Sequence, residues 1–219
     1  MILLIDTSQE TGTVALAKAG VVLFSEENRI AKEHAGWLHT AIGRLIEKAE
    51  ISLRDLVAVA VVAGPGSYTG LRVGMAAAKG FCYALKIPLI TQNTLRVMAE
   101  SMSIVAAETR ALVCPMIDAR RDEVFTALYQ ADMEEILPPQ AMILDKTAFE
   151  SRLSENPVLF FGSGAAKWKE SCSSPNALFK TQEDTVQAFA SLVQGDFDAE
   201  KWADLVYAEP IYLKEFFTY

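Results

Sequence analysis

The sequence predicts an α/β fold of two lobes, each built from a mixed β-sheet with flanking helices. The first residues form short apolar runs separated by turn signals, which is typical of antiparallel strands. The pattern then changes to alternating helices and strands, an order typical of parallel pairing. Near Ser103 the same order begins again with shorter elements, which indicates a second lobe that echoes the first.

The first half of the chain predicts the element order βββαβα. Strands are predicted at residues 2–7, 13–17 and 21–25, and Lys18-Ala19-Gly20 is typical of a hairpin turn between the last two. Over residues 35–50 the apolar residues recur at helical spacing, which predicts an amphipathic helix. The elements that follow are a strand at 56–63, a helix at 71–85, a short strand at 88–90 and a helix at 94–102.

The second half predicts the same kinds of element in a looser order. The predicted strands are 111–117, 123–130, 158–161 and a run at 136–144 that Pro138 and Pro139 break. The predicted helices are 147–153, 165–170, 185–194 and 198–207. This doubled order is that of actin, Hsp70 and the sugar kinases. It predicts an N-terminal lobe over residues 1–104 and a smaller C-terminal lobe over residues 105–219, with the last residues packing back on the first lobe.

A glycine-rich block joins the strand at 56–63 to the helix behind it, with the sequence Gly64-Pro65-Gly66-Ser67-Tyr68-Thr69-Gly70-Leu71-Arg72-Val73-Gly74. Gly70, Gly74 and Ala78 fall on one helical face, and a missing Cβ lets another backbone come close. Three interpretations stay open: packing on the chain's own sheet, contact with a helix of another subunit, and a phosphate cradle. The block matches neither the Walker pattern nor the dinucleotide fingerprint.

Composition argues against several classes of function. The net charge is −8 and the pI is about 4.9, so a broad basic face for nucleic acid is not expected, and any RNA would be held by another chain. Cys82, Cys114 and Cys172 form no C-x-x-C pair, which disfavours a zinc site or a disulfide framework and favours a reducing cytosol. Residues 1–6 predict a strand rather than a signal peptide, and no run reaches the roughly 20 apolar residues of a membrane span.

Few residues are candidates for catalysis. Asp6 ends the first strand, where a carboxylate could meet a metal-nucleotide or could simply cap the turn that follows. His34 and His39 are five residues apart, so on a helix they diverge by roughly 140°, which favours a surface role over a metal pair. Ser67 lies outside a nucleophile elbow. The turn after the 111–117 strand is expected to hold local ion pairs among its charged residues, which are Asp118, Arg120, Arg121, Asp122 and Glu123.

Together these pieces resemble one family closely, the bacterial tRNA threonylcarbamoyladenosine biosynthesis proteins called TsaB or YeaZ. The matching segments span nearly the whole chain in the family's order, and the glycine block is the most specific. The other segments are Ile5-Asp6-Thr7-Ser8, Glu33-His34, Ile117-Asp118-Ala119-Arg120, Glu123-Val124-Phe125, Gly162-Ser163-Gly164-Ala165 and Pro210-Ile211-Tyr212-Leu213-Lys214. Phe125, Ser163 and Lys214 stand where the family commonly has Tyr, Asp and Arg.

The resemblance implies a two-lobed actin-like and Hsp70-like fold of the RNase H type, and a role in tRNA modification. In that reaction a threonylcarbamoyl group is placed on N6 of the adenosine beside the anticodon, in tRNAs that read codons starting with A. The family implies that this chain pairs with a homologous subunit, TsaD, which carries the metal and performs the transfer, and with the ATPase TsaE. It therefore implies a cytoplasmic, non-catalytic scaffold that binds no cofactor alone, pairs with itself when isolated, and meets tRNA only through the complex.

The motif turns of both halves agree with a non-catalytic role. Nucleotide-binding members of the superfamily use a D-x-G turn, whose glycine lets backbone N–H groups reach phosphate. Here the turns Asp6-Thr7-Ser8 and Asp118-Ala119-Arg120 lack that glycine, so nucleotide is expected to bind weakly or not at all. The residues of these degenerate motifs are Asp6, Thr7, Ser8, Asp118, Arg120, Gly162 and Gly164.

The resemblance also makes the glycine-lined helix face a predicted partner surface. The predicted interface residues are Trp37, Leu38, Ala41, Leu45, Gly70, Val73, Gly74, Ala77 and Ala78. Replacing Gly74 with Leu is then expected to break the pairing and keep the fold. Two alternatives come from the enzyme class. A small kinase or ATPase of the actin superfamily is disfavoured by the missing glycines, and a glycoprotease-like peptidase by the lack of a zinc pair or a triad.

Overall fold

The computed structural model describes residues 1–30, 33–145, 147–182 and 184–214. The chain divides into two compact units. The first unit contains Met1–Thr94 and Val186–Ile211, and the second contains Leu95–Thr185 and the described residues after Ile211. Each unit has its own five-stranded sheet of mixed direction, which confirms the predicted fold class.

The elements alternate along the chain much as the sequence predicts. The strands are β1 (Ile2–Asp6), β2 (Gly12–Lys18), β3 (Val21–Asn28), β4 (Ala58–Gly64), β5 (Leu89–Asn93), β6 (Leu112–Asp118), β7 (Glu123–Tyr129), β8 (Glu135–Ile143), β9 (Val158–Phe161) and β10 (Ala177–Phe179). The helices are α1 (His34–Lys48), α2 (Tyr68–Leu85), α3 (Thr94–Ser101), α4 (Ser103–Thr109), α5 (Glu150–Glu155), α6 (Ala165–Ser171) and α7 (Val186–Asp198).

The sheet of the first unit has the strand order β3-β2-β1-β4-β5. The strands β1, β2 and β3 pair antiparallel, whereas β4 pairs parallel with both β1 and β5. All seven residues of β4 are buried, which explains why its sequence is a continuous apolar run rather than an alternating one. This arrangement confirms the predicted βββαβ order of the first half.

Helices α1 and α2 cover one face of this sheet. Leu3 and Ile5 of β1 pack with the apolar sides of both helices in one core cluster, and Leu4 does not belong to that cluster. Successive strand side chains point to opposite faces, so Leu4 faces the other side of the sheet. Helix α7 contacts β2, β3 and β5 and adds no residue to the α1–α2 cluster, so it covers that other side.

The division of the chain differs from the predicted boundary at residue 104. The N-terminal segment of the first unit ends at Thr94, and α7, predicted to lie in the C-terminal lobe, belongs to the first unit because it packs on that unit's sheet. The predicted helix over residues 198–207 is wrong. Helix α7 ends at Asp198, and the chain then extends so that Ala203 bridges to Leu89 at the edge of β5. A backbone that pairs with a sheet edge cannot also form a helix.

The sheet of the second unit has the strand order β10-β9-β6-β7-β8. Strand β6 pairs antiparallel with β7 and parallel with β9, which repeats the mixed pattern of the first unit. Pro138 and Pro139 do not end β8, because it is an edge strand, where a missing N–H costs least. They do interrupt its pairing, since the register with β7 shifts between Leu137 and Gln140. In the part of the chain that the structure describes, none of the helices has the length and hydropathy needed to cross a bilayer.

Candidate functional site

The glycine block forms a tight turn between β4 and α2. Gly64 has φ +122°, a backbone conformation that side chains rarely adopt. Ser67 is the N-cap of α2, as predicted for Ser67 or Thr69, and its Oγ accepts a hydrogen bond of 3.2 Å from the Gly70 N–H. The Ser67 N–H in turn donates to the Ser8 carbonyl at 2.7 Å. The turn therefore folds back on the end of β1, and the N–H groups of Ser67 and Gly70 are bonded within the unit.

The glycines of this block lie against the segment that follows β1. A Cβ built on Gly66 would be 2.1 Å from the Ser8 carbonyl oxygen, and one on Gly70 would be 2.0 Å from the Thr7 carbonyl oxygen. A Cβ on Gly74 would be 2.4 Å from Thr7 Oγ1. The same Thr7 hydroxyl donates to the Gly70 carbonyl at 2.7 Å. Of the three interpretations of the glycines, close packing on the chain's own sheet is therefore confirmed.

Seven of the nine predicted interface residues are wrong as partner contacts, because they belong to the core of the first unit. Those that are fully or almost fully buried are Leu38, Ala41, Leu45, Gly70, Gly74, Ala77 and Ala78. Trp37 and Val73 are partly buried and pack against the same core cluster. The apolar stripe of an amphipathic helix faces its own domain in the ordinary case, and α1 and α2 are two such helices. The variant Gly74→Leu would disturb the fold rather than test a pairing.

Helices α1 and α2 expose to solvent the side that faces away from the sheet. Its exposed residues include Gly36, His39, Thr40 and Gly43 of α1 and Arg72, Ala76, Gly80 and Tyr83 of α2. The two helices contact each other, and the rings of His39 and Phe81 lie 5.9 Å apart across them. A Cβ on Gly36, Gly43 or Gly80 would have no atom within 4 Å. We call these eight residues the outer face.

Sequence reasoning missed the outer face although a signal for it exists. A glycine in an exposed helix interior costs about 1 kcal/mol relative to alanine. Gly70 and Gly74 are explained by close packing, whereas Gly43 and Gly80 lie in helix interiors with open space in front of them. Gly43 and Gly80 lie outside the apolar stripes of their helices, and this position in the sequence is the signal for an exposed surface.

The turn after β1 is closed by its own side chains. Asp6 Oδ1 accepts hydrogen bonds from the Ser8 N–H at 2.9 Å and the Ser8 hydroxyl at 2.6 Å. Burial raises the pKa of the Asp6 carboxyl above its ordinary value, although the Ser8 bonds and the nearby His34 act in the opposite direction. Asp6 is therefore a turn-capping residue, and burial makes its ionised form less favourable in the folded chain than in water.

Replacing Asp6 with Asn is expected to raise the free energy of unfolding at pH 7. The amide oxygen of Asn can accept the Ser8 bonds, and it carries no charge to desolvate. Because folding raises the pKa of Asp6, the ionised carboxylate lowers the stability of the wild-type chain at any pH above that pKa. The difference in free energy of unfolding between wild type and variant should therefore shrink as the pH falls toward about 4, where the carboxyl is protonated. Urea unfolding followed by circular dichroism across this range measures the effect. A variant that is less stable at every pH would contradict it.

The turn after β6 repeats this geometry in the second unit. Asp118 Oδ1 accepts a hydrogen bond of 2.6 Å from the Arg120 N–H, two residues on, as Asp6 does from Ser8. Arg120 has φ +69°, the conformation that a glycine would favour at this position. Burial alone would raise the pKa of Asp118, but hydrogen bonds and charge from Lys167 and Arg120 hold it below its ordinary value. The Lys167 Nζ lies 2.5 Å from Asp118 Oδ1.

The predicted ion pairs of this second turn involve other partners than expected. Asp118 pairs with Lys167 and Glu123 pairs with Lys214, and neither lysine belongs to the turn itself. Gly162 and Gly164 lie against the same strands. Their missing Cβ atoms face, respectively, the Met116 carbonyl at 2.4 Å and a methyl group of Val124 at 2.7 Å. As in the first unit, these glycines permit close packing.

The two histidines occupy different environments. His34 is 6% exposed, and its Nε2 lies 3.1 Å from the Gln9 carbonyl oxygen, so the predicted surface role is wrong for His34. It fits there because Gly12 has no side chain: a Cβ on Gly12 would be 2.6 Å from His34 Nδ1. His39 is exposed on the outer face. Within residues 1–30, 33–145, 147–182 and 184–214, no three His, Cys, Asp or Glu side chains form a group that could hold a metal ion.

The fold matches solved structures over nearly its whole length. A crystal structure described as an uncharacterized protein with similarity to peptidase YEAZ from Pseudomonas aeruginosa superposes with a TM-score of 0.82, at 24% identity, over 97% of this chain and 99% of that one. A second structure, YeaZ from Pseudomonas aeruginosa, gives a TM-score of 0.77 with the same identity and coverage. The two mixed sheets, each with an Asp turn after its first strand, define an actin-like fold.

Sequence comparisons narrow this class to one family. The family model described as TsaD, tRNA N6-adenosine threonylcarbamoyltransferase, matches residues 26–207. The tRNA threonylcarbamoyladenosine biosynthesis protein TsaB of Bacillus subtilis (strain 168) is 31% identical over 77% of this chain and 73% of that protein. The TsaB of Escherichia coli (strain K12) is 29% identical over 97% and 94%. The chain belongs to the TsaB family.

Proposed function

We propose that this chain is a non-catalytic subunit in the formation of threonylcarbamoyladenosine in tRNA. It pairs with a TsaD subunit, which transfers the threonylcarbamoyl group to N6 of the adenosine beside the anticodon, and works with the ATPase TsaE. Family membership supports the pathway. The observation that carries the non-catalytic role is the closed turn after β1. There the N–H and hydroxyl groups of Ser8 both donate hydrogen bonds to Asp6 Oδ1, and the glycine block packs against Ser8.

The same packing argues against a nucleotide on this chain alone. A phosphate cradle needs free backbone N–H groups at the start of a helix. Here the Ser67 N–H is bonded to Ser8 and the Gly70 N–H to the Ser67 hydroxyl, and Gly66 has no open space in front of it. We therefore assign the ATP and the metal of the reaction to the partner subunits. With a net charge of −8, the chain is also expected to meet tRNA only through the complex.

The outer face is the surface that fits a homologous partner. Exposed small residues let two helix pairs approach closely, and Gly43, Ala76 and Gly80 provide them. The Arg72 guanidinium lies 3.8 Å from the centroid of the Tyr68 ring, which orders the start of this surface. This face replaces the buried glycine stripe as the proposed site of pairing with TsaD, and with a second copy when the chain is isolated.

Reconstitution tests the proposal. Purified TsaD and TsaE of the same organism, tRNA and threonylcarbamoyl-adenylate are incubated with and without this chain, and modified nucleoside is measured by mass spectrometry. We expect product only when the chain is present. In parallel, the chain alone is assayed for threonylcarbamoyl transfer and for ATP hydrolysis, and neither is expected. Full activity without the chain, or turnover by the chain alone, would overturn the proposed function.

A further inference from the structure

Residues 201–211, here called the strap, run beside α2 on the same layer of the first unit. The Ala203 N–H donates to the Leu89 carbonyl at 2.8 Å, and the Ile211 N–H donates to the Ala63 carbonyl at 2.7 Å, so the strap is anchored at both ends. Ala203, Leu205 and Ala208 pack against the core cluster that α1 and α2 form. The layer therefore contains α1, α2 and the strap.

The centre of the strap is a rigid turn. The Asp204 carboxylate accepts hydrogen bonds from the N–H groups of Val206 at 2.8 Å and Tyr207 at 3.1 Å. The Ala208 N–H closes the turn on the Asp204 carbonyl at 2.7 Å. From α2, the Lys79 Nζ donates to the carbonyls of Val206 at 3.1 Å and Ala208 at 2.9 Å. Five hydrogen bonds thus fix this turn. Its Leu205 and Ala208 side chains pack against the core cluster, whereas Val206 and Tyr207 remain exposed.

Two large hydrophobic side chains of this turn are exposed to solvent. Val206 is 75% exposed and Tyr207 is 79% exposed, and on α2 the side chain of Tyr83 is 80% exposed. Tyr83 also lines a groove of about 690 Å³, to which the strap contributes Trp202, Ala203 and Leu205. Exposed aromatic residues beside a groove are typical of the anchor points of protein interfaces, and ordering them before binding lowers the entropic cost of association.

We propose that the strap turn and Tyr83 form the apolar end of the surface that docks the TsaD subunit. The inference rests on the proposed function and extends it. The surface is continuous with the outer face, since Tyr83 belongs to both. It adds large exposed side chains, those of Val206 and Tyr207, which the small residues of the helices cannot supply. The groove is open and apolar, which suits a side chain of a partner better than a polar metabolite. A negatively charged chain also disfavours an anionic lipid surface.

Titration calorimetry of the full chain against purified TsaD tests this surface. The double variant Val206→Ser with Tyr207→Ser is expected to raise the Kd at least tenfold and to leave the thermal midpoint unchanged, because both side chains are exposed. Ile104→Ser is the matched control. Ile104 is 74% exposed in the second unit, and its replacement is expected to leave the Kd unchanged.

A second variant tests the positioning role of Lys79. Lys79→Met keeps the aliphatic stem and removes the two bonds to the strap carbonyls. Amide hydrogen exchange at Val206 and Tyr207 is expected to become faster, and the Kd for TsaD to rise several-fold. Faster exchange with an unchanged Kd would overturn the role of the rigid turn.

The outcomes separate this inference from the proposed function. If a variant of the outer face loses TsaD while the strap variants bind it normally, the strap inference fails and the proposed function stands. If the strap variants change only the self-association of the isolated chain, the occupant is a second copy, and the inference also fails. If the wild-type chain does not bind TsaD at all, both fail.

Discussion

Replacing Gly70 with alanine is expected to destabilise the first unit by about 3 kcal/mol. The added methyl group would lie 2.0 Å from the Thr7 carbonyl oxygen, which is backbone and cannot turn aside. Moving the start of α2 away from Thr7 would break the hydrogen bond of 2.7 Å from the Thr7 hydroxyl to the Gly70 carbonyl. The Gly70 N–H is also bonded, to the Ser67 hydroxyl. Relief requires that α2 move away from β1, which opens the core that both share.

Gly80→Ala is the matched control in the same helix. A Cβ at Gly80 meets no atom within 4 Å, so alanine is expected to stabilise the chain by up to about 1 kcal/mol through its better helix propensity. Urea unfolding of both variants, followed by circular dichroism, gives the two free energies. The prediction of close packing fails if Gly70→Ala unfolds at the same urea concentration as the wild-type chain.

The opposite signs expected at Gly70 and Gly80 separate two uses of glycine in one helix. At Gly70 and Gly74 the missing side chain admits the segment after β1, so these glycines belong to the fold. At Gly80 an added Cβ would meet no atom within 4 Å on the solvent-facing side, so the fold does not need a glycine there. Only the second kind is available to a partner.

The sequence predicts the sheets and the long helices well because their hydrophobic periods are strong. The apolar run of β4 and the stripe of α1 both lie where the pattern places them. What the pattern cannot say is which neighbour covers a stripe. The family resemblance predicts that Leu38, Ala41 and Leu45 contact a partner, whereas they complete the core of their own unit.

Other misses have the same origin in tertiary contacts. The helical pattern at residues 198–207 gives way to an extended strap, because the edge of β5 offers Ala203 a backbone partner. The prolines of β8 do not end the strand, because only one of its sides is paired. His34 is buried because Gly12 makes room for it, and these two residues are 22 positions apart. None of these contacts is visible in a local window of sequence.

Gly80→Arg is expected to weaken the pairing with TsaD by about ten- to hundredfold while the isolated chain keeps its fold. Arginine is a better helix former than glycine, and the open space at Gly80 accepts it in the isolated chain. In a close helix–helix contact the same side chain would overpack the interface, at a cost of about 1–3 kcal/mol, and each 1.4 kcal/mol is about tenfold in Kd. Calorimetry with TsaD measures the Kd, and thermal unfolding measures the stability.

Gly195→Arg controls for charge and for helix propensity. Gly195 is likewise exposed in a helix with no atom within 4 Å of its Cβ position, but it lies on α7, which covers the opposite side of the sheet. Both variants add one positive charge and remove one helical glycine, so they should be equally stable, and only Gly80→Arg should lose TsaD. If both variants bind normally, the outer face is not the partner surface. If both lose binding, the added charge rather than steric overlap is responsible, and close packing at Gly80 is refuted.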